Sequence, residues 1–358
     1  MYSAASNRFV SIQYLRALAA ILVVVQHANT GPIRLDIIRP DFATFGVDLF
    51  FVISGYIMWA TTDATARTPG QFWTARIIRI VPLYWAFTSL CVAIAVLHPA
   101  ALQNPSTDLV HIVKSYAFVP ALHPALGNVS PVYSLGWTLN DEMFFYLVFG
   151  IALLVRNRAG RLVVVTAALG GLVSAGLVWR PADPILQTYT SELLLEFLCG
   201  TLIAAARERL MSWATRAAGP MLGIVPLWLV AVYAGKLSGG HFVMFGLPAA
   251  MMVAGLLALE RTLQMRPLSL GLLIGDASYS LYLCHPFALR AIYLVLPTAA
   301  AAAHPVIGLV CIALASVVAI LCAIAIYSVI EQPTLAVLRR TTRHRVKDVL
   351  APQTNQSF

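Results

Sequence analysis

Charge is scarce in this chain: 11% of its 358 residues are Asp, Glu, Lys or Arg, against 59% hydrophobic. That excludes a soluble core as the home of so much apolar sequence, since a chain of this length cannot bury it all away from water. Acidic residues are the rarer sign, 15 against 24 basic. Cysteine is sparse as well. Cys91, Cys199, Cys284, Cys311 and Cys322 lie singly in apolar segments with no paired or metal-ligand spacing, so they read as small buried hydrophobes and no metal is expected. No internal repeat, heptad or low-complexity tract is present. A cleaved leader fits poorly, because the first apolar segment carries Arg16 and His27 and no small-x-small site closes it.

What is there is a series of helix-length apolar segments, near residues 11–29, 45–62, 79–98, 134–155, 161–179, 189–206, 218–236, 242–260, 270–297 and 304–331. The fold class implied is an all-α integral membrane protein, a bundle of about ten transmembrane helices. The ninth segment also admits a short stretch followed by a helix from Asp276. The net charge of +9 suggests nucleic acid at first sight, but the basic residues follow the loops instead. Arg8, Arg67, Arg76, Arg79, Arg156, Arg158, Arg161, Arg207, Arg209, Arg216, Arg261 and Arg266 fall on one side. Arg339, Arg340, Arg343, Arg345 and Lys347 of the tail join them. The other side has Arg34, Arg39, Lys114, Arg180 and Lys236. This bias places both termini in the cytoplasm and requires no nucleic-acid partner. The chain divides into a transmembrane domain, 1–333, and a polar, basic, mobile cytoplasmic tail, 334–358. Residues 99–133, with Pro99, Pro105, Pro120, Pro124 and Pro131, form a long outer loop unsuited to regular helix, either shaping an outer opening or merely connecting.

Ionisable groups inside apolar segments are costly and mark candidate polar sites. Arg16 and His27 share the first helix, eleven residues apart, which puts them on nearly one face and about 16 Å apart along the axis. Asp48 opens the second segment on the same outer side as His27. A His with a carboxylate partner is a base arrangement, while helix pairing for His27 and a helix-dipole role for Asp48 are the plainer readings. Asn140, Asp141 and Glu142 head the fourth segment, where two adjacent acids cannot face one cavity. One is expected toward the bundle and the other toward water or a cap. In the ninth, Ser278, Tyr282 and His285 share a face ahead of Pro286, and His285 reads equally as a satisfied core residue. Glu192 and Glu196 read as outer-boundary polar residues, and Arg290 as snorkelling or helix-pairing. Arg76 and Arg79 can hold phosphates as arginine forks, although topology alone explains inner-face arginines.

Arg16-x10-His27, FGVDLFFVISGY at 45–56, ARIIRIVPLYW at 75–85, GWTLNDEMFFYL at 136–147, SYSLYLCHPF at 278–287 and YSVIEQP at 327–333 follow one another in order. Together they resemble the motifs of the membrane acyltransferase-3 family, and the fourth is most similar to members linked to bacterial exopolysaccharide production. Asp141 departs from the family's usual apolar or aromatic residue, and Met143 stands where many relatives carry a second acid.

The resemblance implies transfer of an acetyl or other short acyl group to a carbohydrate hydroxyl in the bacterial cytoplasmic membrane. It implies an acyl-CoA donor, acetyl-CoA by preference, and no tightly bound cofactor. The acceptor is a surface polysaccharide or its lipid-linked repeat unit. His27 is then the general base or a transient acyl carrier, assisted by Glu142 or Asp48, with Arg16 on the donor carbonyl or carrier. Arg76, Arg79 and Tyr84 hold the donor, while Trp137, Asn140, Tyr282 and His285 surround the acceptor. The competing readings are a transporter or flippase for polyols or lipid-linked sugars, and a membrane scaffold with a structural polar core.

Overall fold

The structure is a computed structural model that describes residues 9–36, 42–102 and 104–350. Arg8, Arg39 and residues 351–358, which the loop rule assigns to sides of the membrane or to the tail, lie outside the described residues. Among those described, every regular element is helical, and the only β pairing is an isolated bridge between Leu122 and Val129. In chain order the helices are α1 (Val10–Ala28), α2 (Phe42–Ala64), α3 (Pro69–Leu97), α4 (Leu109–Tyr116), α5 (Trp137–Ala152) and α6 (Arg158–Trp179). There follow α7 (Pro184–Tyr189), α8 (Leu194–Ala205), α9 (Arg207–Tyr233), α10 (Leu247–Ala258) and α11 (Glu260–Met265). The last are α12 (Ser269–Asp276), α13 (Ser278–Tyr293), α14 (Thr298–Ala303), α15 (Pro305–Ile326) and α16 (Gln332–Leu350). Single π-helical turns, Phe242–Gly246 and Tyr327–Glu331, lead into α10 and α16.

Five helices are long and apolar enough to cross a membrane: α1, α2 from Thr44, α3, α6, and the continuous run Pro305–Thr342. The other expected crossings fall on shorter or broken apolar helices. The ninth segment divides at Ala277 between α12 and α13, as its alternative reading allowed. Large apolar side chains along the outer flanks of α6 and α15, among them Val163, Leu177, Val178, Val310, Val317 and Leu321, are exposed, as a lipid-facing surface requires.

Two features differ from the sequence reading. The helix continues past Glu331 through α16, because the π-turn absorbs the register change and Pro333 falls in the new helix's first turn, where a missing N–H is harmless. The proline-rich segment also holds a helix. Pro105 and Pro120 bracket α4, and the Asp108 side chain caps it by accepting from the backbone N–H groups of Val110 and His111. Of the cysteines, Cys91, Cys284 and Cys311 are buried as expected, but Cys199 is half-buried and Cys322 is exposed.

The centre of the bundle is α1 and α2. Helix α1 packs on α2, α12, α13 and α15, and α2 packs on α8 and α10. The contact of α2 with α8 depends on two glycines. A Cβ at Gly55 would lie 2.0 Å from the Phe197 carbonyl oxygen, and one at Gly200 would lie 1.9 Å from that of Val52. Small residues let the two backbones touch, the device that brings helices together where lipid offers no hydrophobic drive. Aromatic rings fill the space beside them: Phe145 stacks on Phe197 with centroids 4.4 Å apart, and Phe51 meets the other side of the cluster. At the start of α1, the Glu260 carboxylate accepts from the Val10 and Ser11 N–H groups at 2.7 and 2.8 Å, satisfying helix-end donors without water.

Candidate active site

A cavity of about 430 Å³ opens at the end of the bundle where α1 begins. It takes side chains from the first halves of α1, α3 and α13, from α2 between Val47 and Thr61, and from α5 and α16. Among the described residues its charged lining is Arg16, Arg76, Arg79 and Arg339 against the single carboxylate of Glu142. A surplus of guanidinium groups in a partly dehydrated space attracts an anion strongly.

Each charge is placed by its helix. Arg16 on α1 donates through Nε and Nη2 to Ser278 Oγ on α13 at 3.1 and 2.9 Å, so one hydroxyl aims the whole fork. Glu142 accepts from Ser54 Oγ at 2.8 Å and from the Tyr146 hydroxyl one turn along α5. Arg76 lies beside the rings of Phe72 and Tyr146, 5.9 and 6.0 Å from their centroids, and its buried Nε–H has no acceptor. Trp73 fixes the neighbouring backbone by donating to the Tyr146 carbonyl at 2.9 Å.

The far half of α1 carries a second polar feature. The rings of His27 and His285 meet edge to face with centroids 4.8 Å apart. His27 Nδ1 lies 2.8 Å from the Val23 carbonyl, and His285 Nδ1 lies 3.0 Å from that of Leu281. A carbonyl only accepts, so both Nδ1 atoms carry the proton and both Nε2 atoms present a lone pair. His285 is fully buried and its Nε2 has no partner. Tyr282 joins the two features. It lines the cavity, its hydroxyl donates to the Leu135 carbonyl at 2.9 Å and pairs with Thr138 Oγ1 at 2.8 Å, and its ring centroid is 6.3 Å from that of His285.

The sequence matches the family described as an acyltransferase domain, acyltransferase 3, over residues 9–328. The chain belongs to this family. It is 40% identical over 259 residues to the exopolysaccharide production protein ExoZ of Rhizobium meliloti (strain 1021), covering 69% of this chain and 77% of that protein. It is 32% identical over 165 residues to the peptidoglycan O-acetyltransferase OatA of Listeria monocytogenes, covering 42% of this chain and 25% of OatA. Nodulation protein 10 of Rhizobium leguminosarum bv. viciae is 28% identical over 193 residues, 45% of this chain and 49% of that protein. No solved structure matches the chain significantly. The protein is accordingly an acyltransferase enzyme, and the matches support O-acetyl transfer as its class.

The cavity gathers six of the residues singled out in the sequence: Arg16, Arg76, Arg79, Glu142, Ser278 and Tyr282. His27 and His285 stand beyond Tyr282. Six others sit differently. Asp48 is not the partner of His27, whose Nδ1 is bound to Val23; its Oδ1 is 2.9 Å from Nε2 of His241, a residue the sequence did not flag. Tyr84 is buried away from the cavity, and its hydroxyl braces α3 by donating to the Ser115 carbonyl at 3.1 Å. Asn140 is buried with Oδ1 unpartnered, and Trp137 is half-buried against the core. Asp141 does not face water: it is buried, on the side of α5 away from Glu142. Glu196, read as a boundary residue, is fully buried beside Asp48 and His241. Ser54, Tyr146 and Arg339 add further polar groups to the cavity, and none of them carried a spacing signal in the sequence.

Proposed function

We propose that this enzyme moves an acetyl or other short acyl group from a cytoplasmic acyl-CoA to a hydroxyl of a surface polysaccharide or of its lipid-linked repeat unit. The observation that carries this reading is the cavity's charge, four arginines against one glutamate at one end of the bundle. An acyl-CoA is a polyanion at its nucleotide end and a slender neutral arm at its thioester end. Arg76, Arg79 and Arg339 suit the phosphates, and the arm extends past Arg16 toward Tyr282 and the histidine pair. On this reading the cavity end faces the cytoplasm, as the basic loops favour. Both termini are then cytoplasmic, the chain crosses ten times, and the membrane is the bacterial inner membrane. Similarity to an exopolysaccharide production protein and to a peptidoglycan O-acetyltransferase supports a carbohydrate acceptor.

His27 is the general base, because its tautomer leaves Nε2 free to take a proton. The acceptor hydroxyl oxygen attacks the thioester carbonyl carbon as its proton passes to Nε2. The tetrahedral intermediate collapses, the C–S bond breaks, and the proton goes from Nε2 to the departing thiolate. An ester and free CoA thiol result, and His27 is neutral again. Arg16, aimed by Ser278, stabilises the negative oxygen or pins the carrier beside it. Glu142, held by Ser54 and Tyr146, offsets the mutual repulsion of the arginines when no donor is bound. Tyr282 and His285 form the acceptor's surroundings, with the Nε2 of His285 as a hydrogen-bond acceptor for a sugar hydroxyl.

Purified protein in detergent, supplied with acetyl-CoA and a carbohydrate acceptor, tests the proposal by release of free thiol. Acceptor-dependent release that disappears in Arg79→Ala supports it. Sugar binding or movement with no thiol release in the presence of the cell's own polymer would favour a transporter instead.

A further inference from the structure

Asp48, Glu196 and His241 form a second polar cluster, outside the arginine cavity and unused by the acyl-transfer chemistry above. Asp48 and Glu196 are fully buried, and the candidate ligand atoms of the three residues all lie within 4.8 Å of one another. His241 Nε2 is 2.9 Å from Asp48 Oδ1 and 3.5 Å from Glu196 Oε1. The N–H of one imidazole serves at most one or two of four carboxylate oxygens. Asp48 Oδ2 and Glu196 Oε2 have no donor, and Glu196 Oε1 has only the long contact to His241. Two buried carboxylates with oxygens this near each other repel unless they share a proton or a cation lies between them.

The geometry points to a divalent transition-metal site: we propose that Asp48, Glu196 and His241 bind one zinc-like cation that ties α2, α8 and the turn before α10 together. Two carboxylates and an imidazole are a donor set that zinc accepts, with at least one position left for water or a substrate oxygen. Ligand distances of about 2.1 Å in a tetrahedron set ligand atoms about 3.4 Å apart. The pairs His241–Glu196 at 3.5 Å and His241–Asp48 at 2.9 Å are close to that edge, so small side-chain rotations suffice. The supports are rigid. Gly55 and Gly200 lock α2 onto α8 a turn or two away from the acids, and Glu192 Oε2 accepts from the Phe242 N–H at 2.9 Å, holding the turn that carries His241. Gly240 makes room for that carboxylate, since a Cβ there would lie 2.6 Å from it. The π-turn Phe242–Gly246 follows directly, and such turns commonly mark sites where a side chain has been re-aimed. The His241 side chain is 32% exposed, which gives a cation an access route from the surface. The lack of any cysteine or histidine spacing hid this site from the sequence, which led to the expectation of no metal.

The test is metal content of the full-length protein, purified in detergent without a polyhistidine tag, stripped with chelator, reloaded with zinc and desalted. Zinc is a stringent probe, because in a site of nitrogen and oxygen donors it binds more tightly than manganese or iron. Wild type is expected to retain about one zinc per chain and to melt several degrees higher with zinc than without. Glu196→Gln and His241→Ala are expected to retain less than about a fifth of that, with a melting temperature indifferent to zinc. If a variant does not fold, Asp48→Asn replaces it, and the wild-type result stands alone. Wild type that retains no zinc would overturn the proposal. So would folded variants that retain as much zinc as wild type, since the metal would then sit elsewhere.

Discussion

Along α2, Ser54 and Thr61 look into a cavity with four arginines, whereas Asp48, less than two turns earlier, faces a second carboxylate and an imidazole. The two regions are about 9 Å apart along that helix. Both place unpaired charge in an apolar bundle, and each leaves polar atoms without partners: Arg76 Nε in one, oxygens of Asp48 and Glu196 in the other. They differ in room. The arginines surround about 430 Å³, enough for a large anionic ligand, while the acids are pressed together by the closest helix contact in the bundle core. Excess charge around a wide cavity reads as recognition of a mobile substrate. Excess charge in a tight three-helix junction reads as a seat for a small ion.

The strongest way to break the comparison is to remove the scaffold the two regions share. Gly55→Leu should abolish folded protein, since even a Cβ would overlap the Phe197 carbonyl; detergent-solubilised yield and a monodisperse elution profile check this. A well-folded Gly55→Leu enzyme would show that the helix contact is looser than described. Arg16→Ala comes next. It should lower acyl transfer about 100-fold while leaving zinc retention at the wild-type level, because Arg16 is bonded to Ser278 and not to the acidic cluster. Parallel loss of both properties would mean that the regions are coupled. Glu142→Gln keeps a hydrogen-bond acceptor for Ser54 and Tyr146 but removes the one negative charge that the described residues bring to the cavity. The expected outcome is tighter acyl-CoA binding, with KM lowered about threefold, read from thiol-release kinetics. Arg339→Ala, at the exposed rim, should have the smallest effect: KM for acyl-CoA about threefold higher, kcat unchanged, and the difference shrinking as salt rises.

These regions were unequally legible in the sequence. Arg16, Ser278, Tyr282 and His285 were readable because helix periodicity alone decides which residues share a face, and the structure sets α1 and α13 side by side so that Arg16 meets Ser278 and His27 meets His285. The partner of Asp48 was not readable. His241 lies 193 residues away, at the start of a helix among ordinary apolar neighbours, and only tertiary packing brings it in. Periodicity also could not show that the Nδ1 of His27 is occupied by a backbone carbonyl one turn back, which removes the need for a carboxylate partner. Glu196 was placed at the membrane boundary by its position in the segment. The glycine contact that pulls α8 against α2 buries it instead. The continuation of the last helix was masked by Pro333, a helix breaker in general but harmless in a first turn.

The central claim is that His27, reached through the arginine cavity, performs the proton transfer of acylation. It is tested most directly by mass spectrometry of the surface polysaccharide from cells carrying His27→Ala at wild-type protein level. The account predicts that acyl substitution attributable to this enzyme is lost, a decrease of at least about 100-fold. Polysaccharide with unchanged acyl content would contradict it.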